Sequence, residues 1–456
     1  MAALAIFILL LSPLSARSQV DETGFPKQVG SLGTDQGLSI TADSQRNIYV
    51  AGIFQNSTTF DDTTLTSAGQ FDIYVAKYNP NADLLWVVSA GGIGSDIAWG
   101  ITLDSSNNVY VTGEFAQTAE FDEETTLISD GSADIFVAKY NTNGELQWVT
   151  SAGGTGPDIG HAIAIDSDGI GVITGSVRGS VLFDTIRVRG PSDFTSAFVA
   201  RFNENGRFIW VEHAEGTGNL IGKAIGVDNQ DNIYVSGEYS GSATFDDENS
   251  LQSEGNSDIY MARYDPNGTL DWVESGGGAD NNAIHDIAME TNGDFYITGS
   301  IGGDADFDTT SLTSNGGRDI FVAHYNANGV HQWAQSFGGG DIDIGRGISL
   351  SDSADLVVTG SFERNWEIDN ITLESQGDSD VFLFKFVRDD GELIWARTAG
   401  GTGSDGARAV HGDNNGVSLV TGFFSTTADF DGVTRTTVGG LDSFVVRYDE
   451  FGFLLP

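Results

Sequence analysis

Residues Ser151 to His161 read SAGGTGPDIGH, with four glycines in eight residues followed by a histidine. A glycine-rich turn can bring backbone N–H groups close to a phosphate, so the first chemistry to consider is nucleotide binding. That chemistry needs a strand before the loop and a helix after it. From His161 the chain runs HAIAIDSDGIGVITGSV, short β-type runs broken by Asp, Gly and Ser, with no 3.6-residue period. The loop is therefore not a phosphate cradle. Other catalytic signatures are sparse. His161, His213, His285, His324, His331 and His411 form no HExxH pair, and no G-x-S-x-G elbow occurs. The absence of cysteine excludes disulfides, thiol catalysis and cysteine-ligated metals.

A more informative set lies three residues after the loop aspartate or its equivalent. At intervals of 61 or 62 residues this position holds Leu38, Trp99, His161, Lys223, His285, Arg346 and Arg408. Five of the seven are basic or titrate to a cation, in a chain with 21 Lys and Arg against 65 Asp and Glu. Such a column suits an anion. The plainer reading, favoured by the spacing, is local ion pairing. Asp158, Asp343 and Asp405 stand three residues before His161, Arg346 and Arg408, whereas Lys223 and His285 have Leu220 and Asn282 there. If the column does bind an anion, its histidines should strengthen binding below about pH 6.5, where an ordinary imidazole gains charge.

Two further columns carry charge. Lys77, Lys139, Arg201, Arg263, His324, Lys385 and Arg447 usually follow an Asp by five residues and read as packed stems with paired heads. Asp61, Asp122, Asp184, Asp246, Asp308, Asp369 and Asp431 sit in FDD-like turns. Clustered carboxylates of that kind can bind calcium, but Asx turns explain them more simply. No other cofactor is implied.

The elements that must position these residues repeat. Trp86, Trp148, Trp210, Trp272, Trp333 and Trp395 are spaced by 61 or 62 residues, and DIYVAKY at Asp72 returns in varied form six more times. Each of seven units reads as a meander of strands. In the second these are 100–105, 108–115, 134–140 and 145–152, with a small hairpin around FDEETTL. Four strands cannot bury both faces alone, but units arranged radially can, each packing on its neighbours. The expected fold is all-β, a seven-bladed β-propeller of four-stranded blades. Its inner strands should begin near residues 36, 97, 159, 221, 283, 344 and 406, and the glycine-rich loops should cross at the crowded mouth. The tryptophans, Trp148 for example, should be buried between blades. The last unit stops before its tryptophan, and FPKQVGSLGTD near the N-terminus aligns with WVVSAGGIGSD, which puts Phe25 in the tryptophan position. Pairing of the N- and C-terminal segments should therefore close the ring and remove an open sheet edge.

The pattern G-G-x-G-x-D, YVTG, DIFVAKYN-x-NG and W resembles the seven-bladed beta-propeller repeat of secreted and cell-surface bacterial proteins. The resemblance covers about residues 25–456. It implies the fold, and it brings no shared activity or catalytic residues.

The totals bound the function. A formal charge of −44 repels nucleic acid and anionic membranes. Residues 1–18 read as a secretory signal peptide: a nine-residue apolar run, Ala3 to Leu11, is too short to span a bilayer and is followed by the cleavage-site-like Ala16-Arg17-Ser18. The expectation is a single propeller over residues 19–456, secreted or at the cell surface (extracellular or periplasmic), and monomeric. It would be a binding module whose site is the channel mouth at Trp99, His161, Lys223, His285, Arg346 and Arg408. An anionic glycan or an acidic partner segment is the expected ligand. The alternative is a propeller hydrolase or lyase acting on a polysaccharide, which needs a mouth histidine working with a carboxylate.

Overall fold

The computed structural model describes residues 24–351, 355–368 and 370–456. The proposed signal peptide lies outside them. No helix among the described residues is long and apolar enough to cross a membrane.

Alternating apolar residues and Asx-type turns produce antiparallel meanders throughout. In one unit, Ile97–Leu103 pairs with Val109–Phe115, which pairs with Asp134–Tyr140, which pairs with Leu146–Gly154. The first strand extends three residues ahead of the run 100–105, because Ile97 and Ala98 also pair, with Glu114 and Gly113. The same order recurs behind the inner strands Gln36–Ala42, Ile159–Ile165, Leu220–Val227, Ala283–Met289, Ile344–Leu350 and Gly406–Gly412. Each inner strand packs against the next, and the last packs against the first. The architecture is an all-β propeller.

The second and third strands of each unit are the most buried. In Asp134–Tyr140 every side chain but Lys139 is fully enclosed, because both faces of the sheet are covered by neighbouring units. The FDEETTL segment forms the hairpin Thr118–Glu120 and Thr126–Ile128, which pairs with the end of the preceding unit's outer strand, Ala119 opposite Gly92. This pairing explains SAGGTGPDIGH. A Cβ on Gly154 would collide with the Ser180 carbonyl of the next hairpin. The crowding that demands glycine thus comes from the hairpin side of the loop, not from the mouth.

The tryptophans join units. Trp148 packs with Tyr110 and Phe202, and its indole N–H donates to the Glu204 carbonyl of the following unit at 2.9 Å. It is only partly buried, because its outer edge caps a surface turn rather than entering the core. Gly206 of that turn has φ +76°, and a Cβ there would lie 2.7 Å from the indole. Trp86, Trp210, Trp272, Trp333 and Trp395 meet the next turn in the same way.

At the termini, Lys27–Val29 pairs with Val433–Tyr448, Lys27 opposite Val445. That register sets Phe25 opposite Arg447, as Trp148 sits opposite Lys139. The turn that Phe25 meets carries Ala82 at φ +67° instead of glycine, and both residues belong to one buried cluster. A smaller ring leaves room for a Cβ.

Candidate functional site

Every inner strand contains a bulge near its start. Pairing slips between Gly37 and Ser39, Ala98 and Gly100, Gly160 and Ala162, and Gly222 and Ala224. It slips again between Ile284 and Asp286, Gly345 and Gly347, and Ala407 and Ala409. The skipped residues are Leu38, Trp99, His161, Lys223, His285, Arg346 and Arg408. A bulge leaves one residue unpaired and re-aims its side chain. The strict alternation expected from sequence, which would lean these side chains into the blade interface beside Ile163 and Ile165, is broken at that residue. All seven line one cavity of about 280 Å³ at the mouth of the channel.

The local pairing favoured by the spacing is not what the carboxylates do. Asp158 accepts from the backbone N–H groups of Gly154 and Arg178, Asp343 from those of Gly339 and Glu363, and Asp405 from those of Gly401 and Ser425. They staple the loops, and burial pushes Asp158 and Asp405 up to about 7. His161, Lys223, His285 and Arg346 have no hydrogen bond or ion pair among the described residues. Arg408 donates to Gln36 Oε1 at 3.3 Å and lies over the Phe423 ring at 5.0 Å, with its Nε buried and unpartnered.

The mouth cations press on one another. Burial and then Arg408 lower Arg346 to about 10, against a pull from Glu238. Burial drives His285 well down, followed by Arg346, Lys223, Arg408 and Arg318. Burial and then Lys223 push His161 down to about 3. Both rings line the cavity and are otherwise walled by protein. They therefore stay neutral under mild acid, which corrects the pH behaviour expected of ordinary imidazoles. Among the described residues neither ring is hydrogen-bonded to a carboxylate.

Several functional groups are not marked by the repeat columns. The position after each repeating glycine holds Ile53, Glu114, Ser176, Glu238, Ser300, Ser361 and Phe423, and its two acids and one phenylalanine were the available signal. Glu114 accepts the Trp99 indole N–H at 3.2 Å and fixes that ring, which lies 5.9 Å from His161. Glu238 has no hydrogen-bond partner among the described residues and faces Lys223, Arg318 and Arg346. Below the ring the channel wall turns aliphatic, with Ile40, Ile101, Ile163, Ile225, Ile348 and Val410. Asp286 lies there too, accepting the N–H groups of Ile287 and Ile348 at 2.8 and 2.9 Å. Burial pushes its carboxyl up to about 7.

The other columns serve packing and backbone contacts, partly between units and partly within them. Lys77 and Arg263 donate to carbonyls of the following unit, Lys139 pairs with Asp104 at 3.6 Å, and His324 stacks on Tyr296. The Asp five residues earlier is not the partner: Asp72 and Asp134 cap backbone N–H groups of their own loops. Of the proposed calcium column, Asp61, Asp184 and Asp431 accept backbone N–H groups of Leu84, Phe208 and Leu454. Asp122 and Asp246 cap their own turns, and Asp369 lies outside the described residues. Among the described residues no group of three or more His, Cys, Asp or Glu is placed to hold a metal ion.

Comparison with known proteins agrees with this architecture. Residues 249–271 match the family described as a domain of unknown function (DUF5122) beta-propeller. An uncharacterized WD repeat-containing protein, L264, of Acanthamoeba polyphaga mimivirus is 24% identical over 497 residues, covering 87% of this chain and 36% of that protein. The regulatory protein FlaEY of Caulobacter vibrioides is 23% identical over 319 residues, covering 62% of this chain and 32% of its own. The chain thus spans about a third of the length of the curated relatives it matches. Among solved structures, the Neurospora crassa Pan2 WD40 domain covers 92% of this chain and 95% of its own at 9% identity, with a TM-score of 0.46. The quinohemoprotein alcohol dehydrogenase of Comamonas testosteroni covers 93% of this chain and 76% of its own at 9% identity, with a TM-score of 0.41. The strand pairing, the propeller family match and the WD-repeat relative together identify the chain as a β-propeller built from repeated units.

Proposed function

We propose that this chain is a secreted or cell-surface interaction module. In this reading, residues 19–456 form a single seven-bladed propeller behind a signal peptide at 1–18, and the N-terminal strand completes the last blade. The module binds an anionic ligand, or the acidic segment of a partner, at the channel mouth. One observation carries the proposal: bulged inner strands gather Lys223, Arg346 and Arg408 with two neutral histidines in one cavity, short of counter-charge, in a protein of formal charge −44. A concave site with low-dielectric walls focuses the field of such groups, so a local positive spot survives a negative whole. The WD repeat-containing relative supports an interaction role.

Calorimetric titration with small carboxylates and sulfate at low salt tests this. Lys223→Ala and Arg346→Ala should each weaken binding by about tenfold, the loss of roughly one charge-assisted contact. Neither should lower the melting temperature, because each removes a cation that repels its neighbours. A clear fall in melting temperature for Arg346→Ala, with anion binding untouched, would make the ring structural.

Acidification from pH 8 to 6 should strengthen binding, for a reason other than histidine protonation. Asp286, at about 7, loses its negative charge in that window, while His161, at about 3, stays neutral. Asp286→Asn should flatten most of the pH dependence. If His161→Gln or His285→Gln flattens it instead, imidazole protonation is the cause.

A further inference from the structure

Away from the mouth, the last unit lacks a ring that most of the others carry. Four units place a tyrosine at the start of the second strand, between a cation and an acid. Lys77, Lys139 and Arg263 lie over Tyr49, Tyr110 and Tyr234 at 4.9, 4.7 and 5.9 Å, and His324 stacks on Tyr296 at 4.4 Å. Each phenol hydroxyl donates to an acid of its own unit's first turn: Asp43 at 3.0 Å, Asp104 at 3.3 Å, Asp228 at 3.2 Å and Glu290 at 2.9 Å. Val172 and Val357 replace the tyrosine in two further units, and there the cation meets a carboxylate, Arg201 with Asp166 and Lys385 with Asp355. The last unit has Leu419 in that place, and its cation and acid stay apart. Arg447 donates to the carbonyls of Pro80 and Pro456 and lies over Phe25 at 5.0 Å, with its Nε buried and unpartnered.

The space left between them is a cavity of about 150 Å³, walled by Ile48, Val417, Leu419 and Leu455 together with Arg447 and Asp413. An apolar cavity of about that size admits one benzene-sized ring. One oxygen of Asp413 accepts the N–H groups of Asn415 and Val417 at 2.8 and 2.9 Å. The other meets Arg46 at 3.2 Å and the Asn415 side-chain amide at 3.4 Å. In the first unit the matching oxygen of Asp43 takes two good donors, the Asn47 amide and the Tyr49 hydroxyl. Val417 stands in the place of Asn47 and offers no side-chain donor, so Asp413 keeps capacity for a hydroxyl. Asp43 and Arg46 complete the wall. Two arginines and two aspartates balance, which suits a neutral guest.

We propose that this cavity binds a small neutral phenol. The ring takes the place of the missing tyrosine, beside the Arg447 guanidinium and against Leu419, and the hydroxyl donates to Asp413. The site is independent of the anion site at the mouth. The test is an NMR titration of the whole protein with phenol and with fluorobenzene, which has the same shape and no donor. A purely apolar cavity prefers fluorobenzene, because a buried hydroxyl without an acceptor is costly. Here phenol should bind at least about fivefold more tightly, through its hydrogen bond to a charged acceptor. Leu419→Tyr puts the ring back and should abolish phenol binding, with a melting curve to verify its fold. The comparison of the two ligands needs no variant. Fluorobenzene bound as tightly as phenol would overturn the assignment. So would no binding of either, or phenol binding that survives in folded Leu419→Tyr.

Discussion

A chain lacking the residues through Gly30 should melt roughly 5–10 °C below the intact protein. The deletion removes Phe25 and Val29, which are 3% and 4% exposed, from the cluster that includes Tyr78, Ala82 and Val445. Burial of each side chain contributes about 1.5–3 kcal/mol, and the ladder between Lys27–Val29 and Val433–Tyr448 is lost as well. The total exceeds roughly 5 kcal/mol, a large share of the ordinary margin of stability. The freed edge of Val433–Tyr448 also becomes a template for pairing between molecules, so the truncated chain should aggregate on heating. Scanning calorimetry with light scattering reads both effects. A superimposable melting curve would mean that the terminal strand adds nothing to the last unit.

Trp148→Ala should cost about 2–4 kcal/mol, somewhat below a fully buried tryptophan because one edge of the ring meets water. It removes an inter-unit hydrogen bond to Glu204 and the ring contacts with Tyr110 and Phe202. Gly206→Ala should also destabilise, by about 1–3 kcal/mol, because it places a Cβ against the indole at a left-handed φ. The pairing of Phe25 with Ala82 at the terminal junction indicates how the two losses interact. The double variant Trp148→Phe with Gly206→Ala should lose less than the sum of its single changes, with a coupling of about 1 kcal/mol. Urea denaturation of the wild type and these four variants measures this. Strict additivity, or a loss under about 1 kcal/mol for Trp148→Ala, would contradict the ring-on-turn account.

The spacing of Trp86 through Trp395 made the repeat and the all-β class legible, because inter-unit packing demands the same ring at the same place each time. Phe25 could be aligned with the tryptophans for that reason, although its accommodation by Ala82 is visible only where the two meet. The mouth column was legible as a set, and its geometry was not. Strand alternation is a two-residue rule, and the bulges that break it at Leu38, Trp99 and their equivalents leave no mark in residue type. Sequence proximity also misled. Asp158, Asp343 and Asp405 are near the basic residues along the chain but are committed to backbone N–H groups across the loop. The opposite failure hid Glu114, Glu238 and Arg318, which act on the mouth residues from other strands and loops. The low titration of His161 and His285 could not be read either, since it arises from burial and from cations brought together only by the closed arrangement of units.

The central claim is that the bulged ring of Lys223, Arg346 and Arg408 is an anion site and not a structural charge network. A crystal soaked in bromide and measured at the bromine edge tests it most directly. The account predicts an ordered anomalous peak in the mouth cavity, within hydrogen-bonding reach of Arg346 and Lys223, that is lost in Arg346→Ala crystals. Ordered bromide elsewhere on the surface with none in the mouth, or a mouth peak that persists in Arg346→Ala, would contradict it.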